Sequence, residues 1–133
     1  GKIAARALAV CGVSAETGIK NCGSPENYLA ALKIFYDAIG KKSDEIEGYF
    51  DGEDWKNYTI KVHALKSSAR IIGATALSEA AAALEDAGNR SDAPVILRDT
   101  PALLADYRGL SEGLAPLFET SAEADERPLA EVL

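Results

Sequence analysis

The sequence predicts an all-α fold, an antiparallel four-helix bundle with additional short helices at its N-terminal end. Apolar residues recur at steps of three and four over four long stretches of the chain. Proline and glycine stand where such stretches begin or end, and β-branched residues never alternate between turns as they do in strands. Four amphipathic helices joined by short loops bury their apolar stripes most simply as an antiparallel bundle.

The part of the chain before residue 54 predicts the short helices and the first long one. One or two short helices are expected first, with Ser14 as a cap. Ser24-Pro25 then combines a helix cap with a proline in the first turn, and the helix is expected to end at Gly40. Ser43 is expected to cap a short continuation that stops at Asp51-Gly52.

The next two helices are predicted between Asp54 and Asn89. Asp54 caps a helix that runs to Gly73, and an alanine-rich helix follows it and closes at Gly88-Asn89. The first of these helices has an apolar stripe that is expected to lie in the core: Trp55, Tyr58, Val62, Leu65, Ala69 and Ile72. Two core-facing helices with a short turn between them predict an antiparallel pair.

The last helix is predicted to begin at Thr100-Pro101, where cap and proline recur, after a short helical piece that follows Asp92. An apolar stripe continues from there to Leu117, although Gly109 and Gly113 weaken it. The division of the chain is therefore a bundle domain over 1–120 and an acidic, flexible tail over 121–133, which has too few apolar residues to hold a core.

Composition excludes several classes of function. The net charge is −7, which argues against general binding to nucleic acid or to an anionic membrane surface, and no apolar run is long enough to span a bilayer. A chain with a single histidine has no histidine-rich metal site. Cys11 and Cys22 lack metal-type spacing and are expected to be partly buried thiols in a reducing compartment, with a disulfide or a reactive pair as the alternative. The absence of methionine, even at position 1, indicates a piece of a longer polypeptide.

The single histidine, His63, is predicted to point away from the core. On a helical wheel it lies roughly 140° from the centre of the apolar stripe of its helix. Its helix carries four cations, Lys56, Lys61, Lys66 and Arg70, against the single acid Asp54, a net charge of +3. No acid lies on the same face of that helix, so we expect an imidazole clear of carboxylates, with a contact from another helix left open.

A neutral imidazole in this setting is suited to nucleophilic chemistry on phosphorus. Lys66 and Ser67 flank it one turn away, and Lys56, Thr59 and Arg70 share its face. Cations there would hold a phosphoryl group by charge-assisted hydrogen bonds, and a small serine leaves the ring accessible to a partner. The competing interpretation is an ordinary solvated face. Ile60 and Ile71, beside the histidine face, suit either a docking surface or packing against a neighbouring helix.

The residues around His63 resemble the signature of the histidine-containing phosphotransfer (HPt) domain. The resemblance rests on the block His63-Ala64-Leu65-Lys66-Ser67-Ser68, on Gly73-Ala74 and on Leu84-Glu85 at the end of the next helix. Gly18-Ile19, Cys22-Gly23 and the lead into Trp55 are similar as well, so it spans about residues 14 to 118. Ser67 stands where glycine is commoner in the family.

The resemblance implies a phosphocarrier in a multistep His-Asp relay. His63 would accept a phosphoryl group from the phospho-aspartate of a receiver domain and pass it to another receiver, with Lys66 steadying it and Lys56, Thr59, Ser67 and Arg70 meeting the partner. The expected partners are receiver domains and a histidine kinase, with no nucleic acid and no direct membrane contact. The domain would need no cofactor or metal of its own, since the receiver supplies Mg²⁺.

The resemblance also implies a cytoplasmic location and no ATP site, whether the segment stands alone or belongs to a hybrid sensor histidine kinase. Two alternatives come from other classes of function. One is a four-helix interaction module that does not transfer phosphoryl groups. The other is an enzyme that uses His63 as acid or base, for which the sequence offers no partner residues. A ring clamped by an acid or packed in the core would count against the relay.

Overall fold

The structure, a computed structural model, describes residues 7–120 and shows an all-helical chain over that range. After a helical turn at 7–10, the helices are α1 (Ala15–Cys22), α2 (Pro25–Asp51), α3 (Trp55–Ile71), α4 (Thr75–Asn89) and α5 (Ala93–Ala115), and a π-helical turn follows at Pro116–Thr120. The predicted acidic tail over 121–133 lies outside the described residues. The predicted all-α class is confirmed.

The four long helices form a ring, as a four-helix bundle requires. α3 packs most extensively against α4, α2 packs against α5, and the contacts α4–α5 and α2–α3 close the ring. Three tyrosines lie among the aliphatic side chains of the core and are almost completely buried: Tyr28, Tyr58 and Tyr107. The stripe of α3 is buried as predicted from Tyr58 to Ile72, but Trp55 is only half-buried, because it lies in the first turn at the end of the bundle.

The helix caps follow the sequence closely. The side chains of Ser14, Ser24 and Asp54 each accept a hydrogen bond from the backbone N–H three residues later. α2 ends before Gly52, as predicted. Short polar side chains at these positions satisfy donors that the first helical turn leaves unpaired, so local chemistry determines where these helices begin.

The predicted break at Gly40 is wrong, because α2 continues through it to Asp51. Ser43 does not cap a second helix; it is fully buried, donates to the Gly40 carbonyl and accepts from Arg108 Nε, both at 3.1 Å. Arg108 on α5 also forms ion pairs with Asp44 and Glu47 of α2. Burial of Ile39 and Ile46 on either side of Gly40, together with this contact between helices, outweighs the cost of about 1 kcal/mol for glycine within a helix.

The predicted helix start at Thr100-Pro101 is also wrong, because α5 runs unbroken from Ala93 to Ala115 with Pro101 inside it. Asp92 is the cap, accepting from the Val95 N–H at 3.4 Å. A proline removes one hydrogen bond from a helix interior. Ile96 and Leu103 lie on either side of it and are both buried in the same core, so packing keeps the two halves in one helix.

His63 lies on α3, and the C-terminal end of this helix is fixed by residues from the N-terminal part of the chain. Gly73 has a φ of +87°, and a Cβ there would lie 2.2 Å from the Ser14 carbonyl oxygen, so the turn requires glycine. The Ser14 N–H donates to the Gly73 carbonyl at 2.9 Å, and the Tyr28 hydroxyl donates to the Ile72 carbonyl at 2.9 Å. Asn21 Nδ2 donates to the Arg70 carbonyl at 3.1 Å. The histidine therefore stands on a helix whose end is held in place.

Both cysteines, Cys11 and Cys22, are half-buried free thiols. Cys11 packs against α5, where a Cβ on Gly113 would lie 2.3 Å from its sulfur. Gly113, which weakened the prediction of the last helix, lets the N-terminal segment approach α5 closely.

Candidate functional site

His63 lies on the outer face of α3, and its side chain is 57% exposed. The core side of the helix is formed by Val62 and Leu65, which are at most 4% exposed. The structure thus places the imidazole where the helical wheel predicts it, pointing away from the apolar stripe.

A carboxylate nevertheless contacts the ring, contrary to the expectation of an imidazole clear of acids. Glu85 on α4 reaches across the groove between the two helices, and its Oε2 forms a short hydrogen bond with His63 Nδ1. The contact engages one ring nitrogen only, and Nε2 has no hydrogen-bond partner among residues 7–120. An acid on the ring was expected to count against the relay, but this carboxylate holds Nδ1 alone. It therefore orients the ring and leaves Nε2 open to a partner.

Lys66 shares the same carboxylate. Its Nζ donates to Glu85 Oε1 at 2.6 Å, so one side chain from α4 bridges the histidine and the lysine of α3. Both groups of this ion pair are largely shielded, with 25% of the lysine and 17% of the glutamate side chain exposed. Ser78 of α4 donates to the Lys66 carbonyl at 2.9 Å, which ties the two helices together beside the site.

These contacts lower the pKa of the Glu85 carboxyl below its usual range. The hydrogen bond from Lys66 is the largest cause, His63 acts in the same direction, and desolvation opposes them. Glu85 is therefore a carboxylate at neutral pH and can only accept hydrogen bonds. In the neutral imidazole the proton must then be on Nδ1, and the lone pair must be on Nε2.

We expect the titration of Glu85 to depend on Lys66. In a carbon-13 NMR titration, the midpoint of the Glu85 carboxyl should lie below the ordinary value of about 4.3 and should rise in Lys66→Ala. Because folding lowers this pKa, the contact stabilises the fold above the unfolded pKa and loses that contribution as pH falls through the folded one. An unshifted Glu85 midpoint in the wild type, or one that does not move in Lys66→Ala, would contradict this geometry.

The remaining predicted site residues do not all face a partner. Lys56 and Arg70 are exposed, and neither forms an ion pair within the described part of the chain. Ser67 is half-buried one turn beyond His63. Thr59 is turned into the α3–α4 contact: its hydroxyl donates to the Trp55 carbonyl at 2.6 Å and lies where a Cβ on Gly88 would stand.

The positive charge of α3 is smaller in the fold than in the sequence. Lys66 pairs with Glu85, and Lys61 pairs with Glu45 of α2 at 2.8 Å. Acids from both neighbouring helices thus neutralise two of the four cations. The unpaired positive charge near His63 comes from Lys56 and Arg70.

Glu85 is the residue that the site prediction missed. It is 22 positions from His63, so no spacing rule within one helix connects them. The Leu84-Glu85 pair belongs to the motif around His63, and that signal marked its position without assigning it a contact.

Over residues 7–120, no helix is long and apolar enough to cross a membrane. Within the same range, no group of three or more His, Cys, Asp or Glu side chains is arranged to hold a metal ion.

Comparison with known families gives one finding. The sequence model of the Hpt domain matches residues 30–113, which is more than half of the chain and includes His63, Lys66 and Glu85. No curated protein and no solved structure gives a significant match.

Proposed function

The chain belongs to the Hpt domain family, which functions in histidine phosphotransfer in phosphorelays, and on that premise we propose that His63 carries the phosphoryl group here. One observation supports this residue most strongly. His63 is half-exposed on α3, with Nδ1 bound to a carboxylate and Nε2 without a hydrogen-bond partner among the described residues.

The proposed transfer joins Nε2 to phosphorus. The Nε2 lone pair attacks the phosphorus of an aspartyl phosphate on a receiver domain, the N–P bond forms, and the P–O bond breaks with its electron pair on the aspartate carboxylate. The ring keeps its proton on Nδ1 and gains positive charge during the step. Glu85, which accepts that proton's hydrogen bond, stabilises the charge, as a buried carboxylate does for a catalytic histidine. The reverse step hands the group to a second receiver.

The domain is proposed to need no cofactor and no ATP site of its own. The receiver supplies Mg²⁺ with its aspartate, and positioning and electrostatics supply most of the rate, as in other phosphoryl transfers. We also propose a cytoplasmic location and a histidine kinase as a further partner, either on the same polypeptide or on another.

Lys66 is proposed to steady the phosphoryl group on His63. It follows the histidine by three positions and so lies on the same side of the helix. In the structure its ammonium is bound to Glu85. The same carboxylate contacts the imidazole, so the Glu85 side chain bridges the lysine and His63. A phosphoryl dianion on Nε2 would compete with Glu85 for this cation, and phosphate oxygens are strong acceptors of such hydrogen bonds.

We expect Lys66→Ala to slow transfer or to shorten the lifetime of the phosphohistidine by about 10- to 100-fold, since one charge-assisted hydrogen bond contributes roughly 1.5–3 kcal/mol. Pulse-chase measurement of the labelled domain gives both quantities. Lys20→Ala, which removes an exposed lysine of α1 that has no ion pair among the described residues and no role at the site, is the matched control. Equal kinetics for the two variants would remove Lys66 from the mechanism.

The proposed function is tested by incubating the domain with a receiver that carries a labelled phospho-aspartate. The expected product is an acid-labile, alkali-stable label on the domain, and nitrogen-15 NMR should place the phosphorus on Nε2. An absent label would overturn the proposal. Phosphorus on Nδ1 would overturn the role given to Glu85, because that nitrogen would have to give up its carboxylate contact.

The carboxylate–imidazole pair also occurs in general-base catalysis, so an enzyme remains the second candidate function. A general base needs a hydroxyl, thiol or water donating to its free nitrogen. No side chain in the described part of the chain donates to Nε2 of His63. Covalent labelling of the ring itself distinguishes the two functions, because a general base takes up a proton and forms no bond to phosphorus.

A further inference from the structure

Two exposed large apolar side chains lie on the helix of the histidine, and a third lies near one of them on α2. Five such side chains are exposed among the described residues: Val10, Ile34, Ile60, Ile71 and Leu97. Ile60 and Ile71 lie on α3 on either side of His63 along the chain, and Ile34 lies on α2. Ile34 is 71% exposed.

Ile34 and Ile71 line the same groove between α2 and α3. The groove encloses a cavity of about 190 Å³, with Ala31 and Ala38 on its α2 side and Ser68 on its α3 side. Lys42 lies at one end of it. The groove has room for an apolar side chain, and its small alanine side chains keep it open.

The groove lies within the area that any macromolecular phosphoryl donor must cover. His63, Ser67 and Ile71 are spaced four residues apart and form one ridge of α3, so Ile71 is about 12 Å from His63 along the helix axis. A specific protein interface covers about 800 Å² on each partner, a disc that reaches roughly 16 Å from its centre. A receiver centred on His63 therefore reaches Ile71 and the mouth of the groove.

Charge distinguishes the two sides of His63. On the α4 side the exposed flank carries the acid Glu79, which has no ion pair among the described residues, beside the site carboxylate Glu85. Asp86 on the same flank is paired with Arg90 at 3.0 Å. On the α2 side, Lys41 and Lys42 are exposed, and neither forms an ion pair within residues 7–120. A receiver that presents a phospho-aspartate and a metal-binding carboxylate cluster has an acidic surface there. It is repelled on the α4 side and attracted on the α2 side.

We infer that the receiver docks over α2 and α3 and inserts an apolar side chain between Ile34 and Ile71, with Lys42 facing its acidic rim. This inference rests on the proposed function, since it concerns the partner that brings the phosphoryl group to His63. Apolar contacts of this kind contribute affinity, and the cations contribute orientation and association rate.

The test compares Ile34→Ser with Ile71→Ser, alone and combined, in transfer from a phosphorylated receiver at increasing receiver concentration. We expect the half-saturating concentration to rise about tenfold in the double variant while the saturating rate changes little, because chemistry at His63 is untouched. Leu97→Ser is the matched control, as Leu97 is 50% exposed on α5 and Ile71 is 44% exposed. Asp86→Asn is the control for the α4 side, and it is expected to leave the half-saturating concentration unchanged.

Phosphoramidate, a small phosphoryl donor that needs no docking surface, separates the two proposals. Each variant should be labelled on His63 by phosphoramidate at the wild-type rate. The docking inference would be overturned if the isoleucine variants had the same half-saturating receiver concentration as Leu97→Ser, or if Asp86→Asn changed that concentration more than they do. Either result would leave the proposed function intact. A wild-type domain that neither phosphoramidate nor a receiver labels would overturn the function itself.

Discussion

His63→Gln is expected to abolish acceptance of the phosphoryl group from a phosphorylated receiver. Glutamine is polar and of similar reach, but its amide nitrogen has no available lone pair to attack phosphorus, so the loss should be complete within detection. No second imidazole can replace it, since His63 is the only histidine of the chain. Gel autoradiography of the labelled domain with an acid wash measures the result.

The fold of this variant should remain intact. His63 is half-exposed, and its contact with Glu85 lies at the protein surface, where such pairs contribute about 0–1 kcal/mol. Far-ultraviolet circular dichroism and urea unfolding should therefore resemble those of the wild type. Acid-labile label that persists in folded His63→Gln would show that another residue accepts the group.

Tyr58→Ala is expected to cause a large loss of stability, about 3–5 kcal/mol, without changing the chemistry of the site. The Tyr58 ring is completely buried and lies with Trp55 and Phe50 at centroid distances of 5.9 and 6.4 Å. Its hydroxyl hydrogen-bonds to the hydroxyl of Thr100 on α5 at 2.5 Å. Alanine would leave a cavity between the histidine helix and α5 and a buried hydroxyl without its partner. Urea unfolding measures the change.

Tyr58→Phe separates the two contributions. The ring remains and only the hydroxyl pair is lost, so the expected cost is about 1–3 kcal/mol for the unpaired Thr100 oxygen. Trp55→Ala is the comparison at the edge of the core, where the half-buried indole should cost less than Tyr58. Equal losses for Tyr58→Ala and Tyr58→Phe would show that the hydrogen bond, and not packing, accounts for the effect.

The caps of the helices could be predicted from the sequence because they depend on neighbouring residues. Ser24 and Asp54 each accept from a backbone N–H three positions away, and such a contact is encoded locally. The helix break predicted at Gly40 and the helix start predicted at Pro101 are wrong for the opposite reason. Their local preference is to end a helix, and the packing of residues distant in sequence overrides it.

The features of the site also divide into those that follow from the local sequence and those that depend on how the helices pack. Helical periodicity alone placed His63 away from the core, and the structure agrees. The partner of its Nδ1 comes from another helix, so its identity depends on how α3 and α4 pack. The same holds for Lys61, whose pairing with Glu45 on α2 reduces the positive patch that the sequence of α3 indicates.

The sequence by itself determined the helical class, the caps at Ser14, Ser24 and Asp54, the outward histidine and the motif that identifies the family, because each depends on residues within a few turns of one another. The tertiary structure alone decided that Glu85 orients the imidazole and that Ile34 and Ile71 share a groove. These contacts join side chains from different helices, and only the packing of the bundle fixes the distances between them.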